Sequence, residues 1–230
     1  MLTIEKHKSI LIRILKDIYT DNTLGPLLGF KGGTAAFLFY DLPRFSVDLD
    51  FDLLDASTED EVFEKVGTIL SGYGKVKGQR KKYYTLFFEL SYADADQNIK
   101  VEISRRSFES KYEVVNYFGI SMNVMVKEDM FANKIMALYE RMERANRDIF
   151  DVWFFLQNNW PINVELVEKR MELPFQEFLA KCIRKLEKIS SRSILAGMGE
   201  LLDAKQKAWA KAKLKQETLF LLKVLLDQKK

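Results

Sequence analysis

Histidine and cysteine are almost missing from this 230-residue chain, and several chemistries go with them. His7 is the sole histidine and Cys182 the sole cysteine, so histidine-based acid–base catalysis and a histidine-rich zinc site are excluded. One cysteine cannot form an internal disulfide. Cys182 lies in a basic, helix-like run with no histidine or second thiol beside it, so a structural cysteine in a reducing cytoplasm is expected. His7 falls on the polar side of the first amphipathic segment, which predicts a solvated residue. Met1-Leu2-Thr3-Ile4-Glu5-Lys6-His7-Lys8 lacks the apolar core of a signal peptide, and no run reaches the roughly eighteen apolar residues of a membrane span. A soluble, cytoplasmic protein with no membrane partner is expected. Apolar residues at 47% and charged residues at 30% are globular values, which argue against disorder. The length allows one large domain or two small ones.

The net charge of +3 hides an asymmetry. Residues 161–230 carry 15 Lys and Arg against 9 Asp and Glu, a net of +6, which leaves −3 on residues 1–160. A basic helical tail can attract a polyanion such as RNA; a solvated lysine-rich helix explains the same counts.

The chemistry-bearing stretch lies between Gly29 and Leu53. Val47, Leu49, Phe51 and Leu53 alternate with Asp48, Asp50 and Asp52, the period of a strand with one buried face and three aspartates on the other. Like charges so placed repel, and a divalent cation removes the difficulty. Asp48 and Asp50, about 6.6 Å apart along a strand, can converge on two Mg²⁺ ions about 4 Å apart, the spacing of in-line nucleotidyl displacement. Upstream, Gly32-Gly33-Thr34 lies between an apolar run and a helix-compatible run. A glycine turn that opens a helix presents backbone N–H groups to a phosphate. The expected order is strand, phosphate-holding turn, helix, loop and metal-binding strand. Each part alone is also an ordinary tight turn or a solvated edge strand.

Gly32-Gly33-Thr34-Ala35, followed by Leu42-Pro43-Arg44-Phe45-Ser46-Val47-Asp48-Leu49-Asp50-Phe51, resembles the signature of the nucleotidyltransferase superfamily in its AbiEii/AbiGii toxin branch. Lys100-Val101-Glu102 resembles the family's second motif, and Lys134, Ala137, Leu138, Arg147, Asp148 and Asp151 resemble its later elements. The resemblance covers roughly residues 25–160.

The remaining pattern supplies the scaffold. Helical spacing predicts a helix over 4–20, then one capped by Ser57 or Thr58 with Glu61 placed for a capping box. Residues 75–92 and 98–104 read as strands joined by a turn over 94–98. Glu102 then shares the polar face of its strand, suited to completing a metal shell or accepting the proton of an attacking hydroxyl; a surface residue has the same pattern. Helices are expected over 128–142 and from Arg147, where Asp148 near the helix start and the Arg147–Asp151 pair have a structural explanation. In the tail, Asn163 caps 164–171, Pro174 opens 175–188, and helices follow over 191–203 and 204–227.

The resemblance implies an α/β fold, nucleotidyltransferase-like (polymerase-beta-like), with a small mixed sheet flanked by helices. Residues 1–160 form the catalytic core and 161–230 the basic helical region. It implies Mg²⁺-dependent transfer from an NTP: Gly32, Gly33, Thr34 and Ser46 bind nucleotide, Asp48 and Asp50 bind metal, Glu102 binds metal or acts as base, Lys134 stabilises triphosphate charge, and Asp148 orients Lys134 or reaches the site itself. The acceptor expected is tRNA or another RNA, with a cognate antitoxin as partner. The alternatives are a transferase acting on a small molecule, as antibiotic-modifying enzymes do, and a non-catalytic nucleotide- or partner-binding module.

Overall fold

The computed structural model describes residues 4–92, 98–106 and 108–228, and the chain divides into two compact units, Met1–Val126 and Lys127–Lys230. The helices over 127–157 lie against the helices that follow them.

The first unit opens with α1 (Ile4–Thr20), whose Leu11, Ile14, Leu15 and Ile18 are buried at the spacing the sequence predicts. It continues through α2 (Leu24–Leu27), β1 (Leu28–Lys31), α3 (Gly32–Phe39), β2 (Leu49–Leu53), α4 (Glu59–Ser71), β3 (Lys75–Lys81), β4 (Thr85–Ser91), β5 (Asn98–Ser104), β6 (Tyr112–Tyr117) and β7 (Ile120–Met125). Among the described residues seven strands form one mixed sheet in the order β3-β4-β5-β2-β1-β7-β6. Strand β2 is antiparallel to β1 and parallel to β5, so the strand of aspartates sits between the glycine turn and the strand of Glu102.

Period-two alternation explains which face is core. Leu49 and Phe51 are buried, and so are their register partners Phe30, Val101 and Ile103. Tyr19 of α1 meets Phe51, and Phe63 of α4 meets Phe88 of β4, with ring centroids 6.4 and 5.0 Å apart. Removing one such ring, as in Phe51→Ala, costs about 3–5 kcal/mol.

Several expectations are corrected. His7 is fully buried: its Nε2 bonds to the Val47 carbonyl at 2.9 Å and its Nδ1 to the Tyr92 hydroxyl at 2.6 Å. It stands four, seven and eleven residues before Leu11, Ile14 and Ile18, which puts it on the buried face of α1 rather than the polar one, and Phe45, Val47 and Tyr92 close over it. Asp55, rather than Ser57 or Thr58, caps the turn before α4 by accepting from Ser57 N–H at 2.9 Å. The β6–β7 hairpin was not anticipated; it turns at Phe118 and Gly119, both with positive φ, the two-residue geometry that suits the strand twist. Most of the turn predicted over 94–98 lies outside the described residues.

The second unit comprises α5 (Lys127–Arg141), α6 (Arg147–Gln157), α7 (Val164–Met171), α8 (Phe175–Lys188), α9 (Ala204–Trp209) and α10 (Lys215–Gln228), the last two joined by a π-helical turn over Ala210–Leu214. Asn163 caps α7 by accepting from Leu166 N–H at 3.0 Å. The helix expected over 191–203 is instead two 3₁₀ turns, Ser191–Ser193 and Gly199–Leu201. Gly197 between them has φ +71°, a left-handed backbone that cannot continue an α-helix. Burial pushes the Cys182 thiol up to about 12, so it stays protonated and inert, as expected of a structural cysteine. The tail lysines are partly occupied: Lys215 donates to the Glu187 and Ile189 carbonyls, and Lys223 pairs with Glu187 at 2.9 Å. Among the described residues no helix is long and apolar enough to cross a membrane.

Candidate active site

Strand β1 ends at Lys31, and Gly32 turns the chain into α3 with φ +81°. The position is crowded as well as strained, because a Cβ there would lie 2.9 Å from Asp50 Cβ and inside contact distance of its carboxylate. One residue on, a Cβ on Gly33 would lie 2.8 Å from Arg44 Nη2 and 2.9 Å from Ser46 Oγ. The two glycines therefore bring the turn onto Asp50, Arg44 and Ser46. The Thr34 hydroxyl donates to the Asp48 carbonyl, which ties the start of α3 to the residue before β2. The buried Arg44 donates to its neighbour Phe45 carbonyl at 2.9 Å. The first-turn N–H groups of a helix have no intrahelical partner, so the turn has the chemistry of a phosphate cradle.

The carboxylates are arranged by register. Asp50 stands opposite Lys31 on β1 and Glu102 on β5, and residues paired across strands project from the same face. Asp48 lies just before β2, and its Oδ1 accepts from Lys100 N–H at 3.1 Å. Glu102 is raised above the ordinary carboxylate range, first by burial and then by the negative charge of Asp50, with Asp48 adding to it and Lys82 and Lys100 opposing. Asp48, Asp50 and Glu102 thus influence one another electrostatically. Among the described residues no three acidic, histidine or cysteine side chains converge into a ready-made coordination group.

Asp52, expected in the same row, has a different role. It is 6% exposed and held by Lys31 Nζ and the Tyr112 hydroxyl, each at 2.5 Å. Tyr112 reaches it by crossing Gly29, where a Cβ would lie 2.5 Å from the ring Cζ. Asp52 is a structural anion beneath the turn. Sequence reasoning did not single out Lys31 or Tyr112: Lys31 adjoins the glycines, but its pairing depends on the β1–β2 register, and Tyr112 is sixty residues away from its partner.

The other predicted residues belong to the second unit. Lys134 is 8% exposed, and its ammonium lies 3.3 Å from Asp148 Oδ1 and 2.9 Å from Asp151 Oδ2. Arg141 Nη2 donates to Asp148 Oδ1 at 3.1 Å and lies 2.9 Å from Oδ2. Two cations and two anions make a neutral cluster linking α5 and α6. Asp148 and Asp151, one turn apart on α6, both lie against the Lys134 ammonium.

A family profile described as nucleotidyl transferase AbiEii toxin, type IV TA system, matches residues 13–221. The chain belongs to this family. It is a nucleotidyltransferase of the toxin–antitoxin type. JHP933 of Helicobacter pylori superposes with a TM-score of 0.59 at 20% identity, over 100% of this chain and 96% of that one. A second H. pylori structure, described as a candidate nucleotidyltransferase, gives a TM-score of 0.58 at 22% identity over 98% of each chain. At these identities the likeness carries the fold. No curated protein matches the sequence. Membership of the AbiEii family implies an NTP substrate and an antitoxin companion, and such enzymes usually employ a divalent metal. The donor set fits a hard cation, being all carboxylate oxygens, with mutual repulsion that such an ion would relieve.

Proposed function

We propose that this AbiEii-family enzyme transfers a nucleoside monophosphate from an NTP to a hydroxyl of RNA, with tRNA as the leading acceptor, in a Mg²⁺-dependent reaction in the cytoplasm. The observation that carries the reading is the register of Asp50 against Glu102, with the Gly32 turn closed onto Asp50. In this reading Gly32, Gly33, Thr34 and Ser46 hold the phosphates. Asp48, Asp50 and Glu102 are the residues that would hold Mg²⁺, which supplies neutralisation of the charge that develops on the phosphoryl oxygens.

The acceptor oxygen attacks the α-phosphorus, the bond from that phosphorus to the bridging oxygen breaks, and pyrophosphate leaves. The hydroxyl proton passes to Glu102, which stands opposite Asp50 across the β2–β5 register. Support for the cytoplasm comes from the lone, buried Cys182. The toxin activity would be held in check by the product of a companion antitoxin gene.

The test is incubation of the purified protein with Mg²⁺, each labelled NTP in turn and total RNA, beside an Asp48→Ala, Asp50→Ala double variant. Label in tRNA-sized RNA with the wild type alone is the expected result and names the nucleotide. Label in a small molecule instead, or in nothing with any NTP, overturns the RNA-modifying reading.

A further inference from the structure

The β3–β4 hairpin ends in Arg80-Lys81-Lys82-Tyr83-Tyr84, and Arg105 and Arg106 follow β5 beside it. Tyr83 is 81% exposed and Tyr84 48% exposed, their rings edge to face with centroids 4.3 Å apart. Two adjacent rings standing in water at a hairpin tip are unexplained by folding, which gains nothing from leaving them there.

Cations are interleaved with these rings. The Arg106 guanidinium lies 4.0 Å from the Tyr84 ring centre, and Lys82 Nζ lies 3.7 Å and Arg80 5.2 Å from that of Phe87. Lys81 and Arg105 are neutralised by Asp60 and Glu59. Arg80 and Arg106 have no acidic partner within ion-pair distance among the described residues, and Lys82 has only Glu102, at 4.0 Å.

The tip is also held in shape. Lys82 N–H donates to the Thr85 carbonyl at 2.8 Å and Arg105 N–H to the Tyr84 carbonyl at 2.9 Å. Arg105 Nη1 donates to the Lys82 carbonyl at 2.9 Å, while its Nη2 is anchored on Glu59 at 2.6 Å. A pre-ordered platform loses little side-chain freedom when it binds.

We infer that this tip is the docking surface for a single-stranded segment of the RNA acceptor, with bases stacked on Tyr83 and Tyr84 and phosphates met by Arg80, Lys82 and Arg106. Exposed aromatic faces bind bases of any sequence, and cations beside them bind the phosphates; uncharged partners would leave Arg80 and Arg106 uncompensated. The position fits the chemistry. Lys82 reaches Glu102, so a strand gripped here runs beside the carboxylate that takes the acceptor's proton. The inference rests on the RNA-acceptor reading above.

The test uses the full chain as wild type, as a Tyr83→Ala, Tyr84→Ala double variant and as Arg106→Gln. Affinity is read by fluorescence anisotropy with a labelled single-stranded RNA of about twelve nucleotides, and label transfer from NTP to total RNA is followed in parallel. The tyrosine double variant is expected to bind the RNA at least about tenfold more weakly, raising KM for RNA with kcat nearly unchanged. Arg106→Gln should lower the slope of log affinity against log salt by about 0.7. If the wild type labels RNA and the tyrosine variant binds and labels it equally well, the docking surface is refuted and the exposed rings belong to a protein partner. If the wild type neither binds nor labels RNA, the parent reading fails and the docking surface with it.

Discussion

Gly32→Ala isolates the contribution of the turn to catalysis, because the protein contains its own control. Gly32 and Gly119 share a φ of +81°, so alanine at either position imposes a left-handed backbone that costs roughly 1–2 kcal/mol. Their surroundings differ. A Cβ at Gly119 meets nothing within 4 Å, whereas at Gly32 it falls onto the Asp50 carboxylate. The carboxylate must move by about an ångström, and a displacement of that size at a reacting centre costs on the order of a hundredfold in rate. Urea unfolding and initial rates of labelled-nucleotide transfer separate the two effects. Both variants should lose about 1–2 kcal/mol of stability from the backbone term; Gly119→Ala should keep wild-type activity and Gly32→Ala about one part in a hundred of it. Equal activity in the two variants would refute the reasoning, since the shared strain would then be the whole effect.

The anion beneath the turn and the buried histidine give further predictions. Tyr112→Phe removes one of two hydrogen bonds to the buried Asp52 and should lower stability by about 1.5–3 kcal/mol in urea unfolding. Burial lowers the pKa of His7 below 6.5, while the unfolded chain keeps the ordinary value, so the unfolded state takes up the proton first. Stability is therefore fully present above 6.5 and falls as the pH drops below it. Urea midpoints over about pH 5 to 7 should show this loss, and His7→Gln should flatten it.

What the sequence made legible was local. The β1–turn–α3–β2 order follows from Gly32-Gly33 and the alternation after Val47, both readable within some twenty residues. The Asn163 cap and the limits of α1 have equally local causes. What stayed hidden depends on distant partners. Alternation alone gives Asp48, Asp50 and Asp52 one role; Tyr112, sixty residues on, gives Asp52 another. The burial of His7 was legible in its spacing to Leu11, Ile14 and Ile18; its hydrogen-bond partners, Val47 and Tyr92, 40 and 85 residues away, were not. Phe118-Gly119 was the available signal for the β6–β7 hairpin, weakened because the left-handed position at Phe118 is filled by a bulky residue.

The most direct test of the carboxylate site compares Asp50→Asn, Glu102→Gln and Asp52→Asn, each measured for its rate of nucleotide transfer in Mg²⁺ and for its urea midpoint. Asp50→Asn and Glu102→Gln should each lose at least about a hundredfold in rate with no loss of stability; Glu102→Gln should even be stabilised in metal-free buffer, since burial and the Asp50 charge disfavour the ionised side chain. Asp52→Asn should lose stability and keep its rate while folded. Full transfer by Asp50→Asn or Glu102→Gln would contradict the assignment of catalysis to this pair of strands.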